Sequence, residues 1–144
     1  VLNREVGDSW MVAICHNNLG HATRGLREYE AARRHYADSL RAYRDFDDRW
    51  ALAFPLEDVG ILAAQQGSAE AALELVGAAD TLREAIGAPR APSLDEEVGQ
   101  QIANAVATLS EQDRLACRAR GRGLDLGAAT ERALSLCVPE LRVD

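Results

Sequence analysis

Residues 1–40 laid over residues 41–80 match without a gap. Arg4 falls on Arg44, Asp8 on Asp48, Trp10 on Trp50, Ala13 on Ala53 and Gly20 on Gly60, and then Glu30, Ala31 and Ala32 on Glu70, Ala71 and Ala72. The matched residues are mostly small or aromatic, the types that decide how closely two helices approach. A chain that repeats them at one constant offset is read as one supersecondary unit built twice and stacked, because neither copy can bury its apolar face alone.

Each unit reads as a pair of helices. In the first, Asp8 is the candidate N-cap, and Trp10, Ala13, Ile14, Asn17 and Leu19 run helically to about Leu26. A partner helix spans about Glu28 to Asp45, with Tyr29, Ala32, Tyr36, Leu40 and Tyr43 three or four apart. In the second unit Asp47 or Asp48 caps a helix to about Gln66, Gly67-Ser68 breaks it, and a partner runs from Ala69 to Ile86 before Gly87 stops it. The prolines of Ala88-Pro89-Arg90-Ala91-Pro92 make residues 88–92 a linker. Beyond it, Ser93 with Glu96 forms a capping box for a helix to about Leu109, and Ser110 with Asp113 opens another to about Arg120. Gly121, Gly123 and Asp125 read as a turn, and a last helix covers Leu126 to Cys137 before Pro139. The expectation is one compact all-α domain: repeats over 1–87, the linker, and capping helices over 93–144 that cover the apolar side of the last repeat.

The small and large residues of each unit resemble the tetratricopeptide (TPR) signature, in which a large residue stands three before a Leu-Gly pair, with an Ala and another large residue on the following helix. Here these are His16, Leu19, Gly20, Ala32 and Tyr36, then Leu56, Val59, Gly60, Ala72 and Val76. Gly20 and Ala32, like Gly60 and Ala72, remove bulk where the helices cross, and Tyr29 and Tyr36 fill the space beside them. The chain departs from the pattern at Thr23 and Ala63, where the signature favours Tyr, in lacking a closing Pro, and in a period of 40 rather than the usual ~34. Trp10 two after Asp8, the run Asn17-Asn18-Leu19-Gly20, and the stretch from Gly77 to Pro92 resemble a narrower family. That family is the C-terminal TPR region of large bacterial ATPase-containing transcriptional regulators of the LuxR and antibiotic-regulatory (SARP) types.

The resemblance implies an antiparallel helix-hairpin superhelix of about two repeats, held by Trp10, Leu19, Gly20, Tyr29, Ala32, Tyr36, Trp50, Val59, Gly60, Ala72 and Val76. It also implies a groove along the first helix of each pair, lined by Ile14, Asn17, His21, Arg24 and by Phe54, Glu57, Ile61, Gln65. The implied role is non-catalytic: docking a protein or peptide, or other domains of the same chain, within a cytoplasmic regulator of which this chain is a piece. Effector sensing in the same groove and self-association through Trp10 are the alternatives. The peptide-carboxylate clamp of some TPR proteins needs Lys and Asn here. Asn17, His21 and Asp58 stand instead, so that ligand is not expected.

Composition narrows the rest. The net charge is −7 and all 16 basic residues are Arg, which argues against a nucleic-acid partner and removes the lysine of a phosphate-binding loop. Between Ala51 and Ser110 only Arg83 and Arg90 offset the acids. The cluster Arg114, Arg118, Arg120 and Arg122 lacks interleaved aromatics and reads as a solvated face. No apolar run is long enough to span a bilayer. Cys15, Cys117 and Cys137 are too scattered for a disulfide framework or zinc site and read as buried small hydrophobes. His16 and His21 are five apart and His35 lies on the next helix, so no metal pair is expected. The acid groups Asp47-Asp48, Glu57-Asp58 and Asp95-Glu96-Glu97 read as caps or helix-dipole partners rather than a general acid–base pair. No catalytic residue, metal or cofactor is assigned.

Overall fold

The computed structural model describes residues 2–45 and 48–138, with side chains from Asp8 onward. Among these residues seven helices follow one another: α1 (Leu2–Gly25), α2 (Tyr29–Asp45), α3 (Arg49–Gln65), α4 (Ala69–Ala85), α5 (Pro92–Val106), α6 (Glu111–Arg122) and α7 (Leu126–Cys137). Among the described residues there is no strand, and no helix is long and apolar enough to cross a membrane.

The two units close by the same device. After α1 the backbone N–H of Glu28 returns to the Thr23 carbonyl, and after α3 that of Ser68 returns to the Ala63 carbonyl, both at 2.8 Å. Each turn needs one residue in the left-handed region, Gly67 at φ +85° in the second and Arg27 at φ +60° in the first. Gly costs nothing there, whereas Arg27 carries Cβ strain in exchange for the same reversal. The turn after α4 repeats the pattern, with Gly87 at φ +68° and the Ala88 N–H on the Arg83 carbonyl.

α1 packs along α2 and α3 along α4 as hairpins, and α2 lies against α3 to join them. The core runs through Ala13, Ala32, Tyr36, Leu40, Leu52, Leu56, Val59, Leu75 and Ala79, and α7 returns to cover it with Ala129, Ala133 and Leu134. Gly20 lies under the buried Tyr36 ring, so a Cβ there would stand 2.6 Å from Tyr36 Cδ1. Gly60 faces Ala72 and Val76 more loosely: a Cβ built there would stand 3.3 Å from the Ala72 carbonyl oxygen, a tight approach, and 3.5 Å from Val76 Cγ2. A second cluster, Ile61, Ala72, Leu73, Val76, Val98 and Ile102, fastens α5 to α3 and α4. Pro55 lies buried inside α3 and gives no N–H to the turn before it, yet the helix continues through it.

Several local expectations change. Asp8 is inside α1, not its cap, because no proline stops the helix from running back to Leu2. Asp48 does cap α3, its side chain accepting from the Ala51 N–H, while Asp47 and Pro139 lie outside the described residues. Ser93 caps nothing: α5 starts one residue earlier at Pro92, whose fixed φ suits the first helical position. Ser110 and Asp125 are N-caps. Gly121 belongs to α6, not to a turn. Leu19, Trp10 and Trp50 are 46%, 39% and 55% exposed, so they do not fill the hairpin interiors, whereas Tyr29 is half-buried against the core. Cys15 is exposed, and only Cys117 and Cys137 are buried.

Candidate partner groove

The side chains expected to face one way on the first helix of each hairpin do meet, between α1 and α3. They form two compartments that share Phe54. The first is a cleft of about 210 Å³ walled by Trp10, Ile14, Asn17 and Asn18 of α1, Tyr43 of α2, and Trp50, Ala51 and Phe54 of α3. The second, about 170 Å³, holds His21, Arg24, Phe54, Glu57, Asp58 and Ile61 and is roofed by Leu94, Glu97, Val98 and Gln101 of α5. Gln65, the last residue of α3, is exposed and lines neither compartment.

Polar groups tie the roofed compartment together. Arg24 Nη1 donates to Gln101 Oε1 at 2.8 Å, pinning α1 to α5. Arg24 Nη2 stands 3.3 Å from His21 Nδ1, and His21 Nε2 stands 3.3 Å from Asp58 Oδ2. Arginine can only donate, so Nδ1 of a neutral His21 accepts and its proton sits on Nε2, facing Asp58. Burial pushes the Asp58 carboxyl up to about 7; Arg24 and an Asn17 hydrogen bond pull against it, and Glu57 and Glu97 add to it. Burial also lowers the His21 pKa, with Arg24 contributing. Since the Asn17 amide N–H₂ serves Asp58, its Oδ1 is left as a buried acceptor without a partner, and Arg24 Nε is a buried donor in the same condition.

Glu57 is not available to an incoming ligand. Its carboxylate accepts from Arg83 Nε, and Arg90 Nε lies 3.1 Å away, close enough to pair in charge but off the hydrogen-bond direction. Arg90 in turn binds Asp80, which also receives Arg118 Nε of α6 at 2.8 Å. Glu57, Asp80, Arg83 and Arg90 are all largely buried, so this chain of charges joins α3, α4, the linker and α6. The arginine cluster of α6 is a largely exposed face, but its members are engaged with the α4 acids and the chain before α6. Arg118 and Arg122 reach Asp80 and Glu84, Arg120 reaches Glu74, and Arg114 donates to the Leu109 carbonyl. The sequence signals that could have found this network are the isolation of Arg83 and Arg90 among acids and the one-turn spacing of α6 arginines opposite α4 acids.

His16 of α1 and His35 of α2 are brought together by the first hairpin with Nδ1 atoms 3.1 Å apart, one donating to the other. Among the described residues no three His, Cys, Asp or Glu side chains converge as metal ligands would. Asn18, Tyr43 and the α5 residues are groove walls that sequence reading missed, because periodicity tells which face of a helix is apolar and not which distant helix will lie across it. Comparison of the chain with protein-family models, curated proteins and solved structures gives no match.

Proposed function

We propose that this chain is a non-catalytic TPR-type interaction module, part of a cytoplasmic bacterial transcriptional regulator of the LuxR/SARP kind, which holds a protein segment in the groove between α1 and α3. The observation that carries the reading is the open aromatic cleft: the repeat-equivalent Trp10 and Trp50 both line it and are both exposed. Exposed tryptophans grouped in a cleft are characteristic of contact surfaces. Equivalent turns and equivalent Gly-centred crossings in the two hairpins support the repeat reading. The stretch from Gly77 to Pro92, which bears the narrower resemblance, supplies Asp80, Arg83 and Arg90 of the buried charge network.

A photo-cross-linking residue placed at position 50 should trap a protein in cells, while the same residue at Gln112, on the exposed side of α6, should not. Equal trapping from both positions, or none from position 50, would reject the groove. A second reading, effector sensing, is favoured by the roofed compartment with its unpartnered Arg24 Nε. A small-molecule thermal-shift screen tests it, since a ligand held by the folded state alone raises Tm.

A further inference from the structure

Two features of the open cleft select the same kind of chemistry. Its walls are aromatic: Trp10, Tyr43, Trp50 and Phe54. The Trp50 and Phe54 rings meet edge to face with centroids 5.1 Å apart. Indole and phenyl faces are electron-rich and attract cations. A carboxylate is fixed beside them, because Asp48 Oδ2 accepts from Trp10 Nε1 at 3.2 Å and Asp48 Oδ1 accepts from the Ala51 N–H at 3.0 Å. Aromatic faces and a carboxylate together ask for a cation that carries N–H groups. The protein already shows the pairing once at this wall, where the Arg83 guanidinium carbon stands 5.1 Å from the Phe54 ring centroid.

We propose that the cleft receives an arginine or lysine side chain from a segment of the partner protein, its alkyl stem against Ile14 and Trp50 and its charged head between the tryptophans and Asp48. This rests on the groove reading above and gives the partner its chemistry. The chain's net charge of −7 favours the approach of a basic segment. A terminal carboxylate would find no cation among the residues lining the cleft.

Blocked pentapeptides identical except for a central Arg, norleucine or Glu, together with tetramethylammonium chloride, provide the test on the whole chain. Binding is read from the indole N–H signals of Trp10 and Trp50. The Arg peptide should move both signals and bind about ten-fold more tightly than the norleucine peptide. The Glu peptide should not bind, and Trp50→Ala should weaken the Arg peptide several-fold while leaving the fold's other signals in place. Equal affinity for Arg and norleucine overturns the cation selectivity and leaves the groove reading standing. Tetramethylammonium binding as tightly as the Arg peptide overturns the peptide source. No shift from the Arg peptide at millimolar concentration overturns the proposal altogether, and cross-linking from position 50 then judges the groove reading independently.

Discussion

A Cβ atom built on Gly121 would overlap the carbonyl oxygen of Glu74 and stand 2.6 Å from its carbon, so α6 rests backbone to backbone on α4. Gly77 makes the reciprocal approach, with the Arg118 carbonyl carbon and Arg122 nitrogen each 3.1 Å from where its Cβ would be. Neither obstacle is a side chain that can swing away. Gly121→Ala should therefore push α6 off α4 at a cost of about 2–3 kcal/mol, in the range of overpacked cores. Gly99→Ala on α5, where a Cβ meets nothing within 4 Å, should stabilise by ~0.5–1 kcal/mol through helix propensity alone. Urea unfolding of both variants measures the difference, and equal stabilities would contradict the close approach.

Arg90 holds two acids at once, Glu57 and Asp80, with only 5% of its side chain exposed. Arg90→Met would leave both carboxylates buried with reduced compensation, and a loss of about 3–5 kcal/mol is expected. Arg34→Met, which breaks an exposed pair with Glu30 one turn away on α2, should change stability by no more than about 0.5 kcal/mol. Thermal denaturation of the two variants side by side provides the check. For the same reason Glu57 is a poor handle on binding, since charge reversal there would attack the fold before it touched a partner.

The hairpins were legible because their determinants are local. The offset of 40 residues, the breaks near residues 27 and 67, and the Gly–Ala pairs all act within one or two turns of where they are written. α7 came out residue for residue, and α2 and α4 to within one residue of their ends. What sequence alone did not disclose is long-range. Nothing in Glu97 or Gln101 announces that α5 will lie over Arg24. Leu19 carries the signature residue yet is exposed, whereas its equivalent Val59 is buried, and the sequence pattern does not distinguish the two. The same holds for Gly121, whose residue type fits a turn as well as a helix crossing and is decided only by the presence of α4.

Stability should depend on pH through Asp58, which is enclosed by Asn17, His21 and Arg24 of α1, Tyr36 of α2, Glu57 beside it, and Glu97 of α5. Its carboxyl rises from 3.8 to about 7 on folding. Between those values the folded chain keeps a proton that the unfolded chain has lost, so stability falls as pH rises through the window. His21 acts in the opposite sense. Its folded pKa lies below 6.5, so the unfolded state takes up the proton first, and acidification below that value costs stability. From pH 6.5 upward Asp58 dominates this pair, and a loss of about 1 kcal/mol by pH 8 is expected. Asp58→Asn should remove that decline. Chemical denaturation from pH 6.5 to 8 tests it, and an unchanged decline in the variant would assign it elsewhere.

The two signature glycines occupy equivalent places but face different neighbours, and this makes the repeat testable one position at a time. A methyl group on Gly20 would stand 2.6 Å from Tyr36 Cδ1 and 2.9 Å from Cζ, and Tyr36 is wholly buried and has little room to yield. On Gly60 it would meet the Ala72 carbonyl at 3.3 Å, Leu75 Cβ at 3.4 Å and Val76 Cγ2 at 3.5 Å. The cause is the residue four after each alanine, Tyr36 in the first hairpin and Val76 in the second. Gly20→Ala should cost about 2 kcal/mol despite the better helix propensity of alanine, while Gly60→Ala should stay within about 1 kcal/mol of the parent. Tyr36→Val makes the first crossing resemble the second. It is destabilising by itself, because it empties a packed site, but the penalty of Gly20→Ala should largely vanish in its presence. The coupling energy from the four proteins of that double-mutant cycle should reach at least about 1 kcal/mol. Additive effects would mean that Gly20 and Tyr36 do not meet at the crossing.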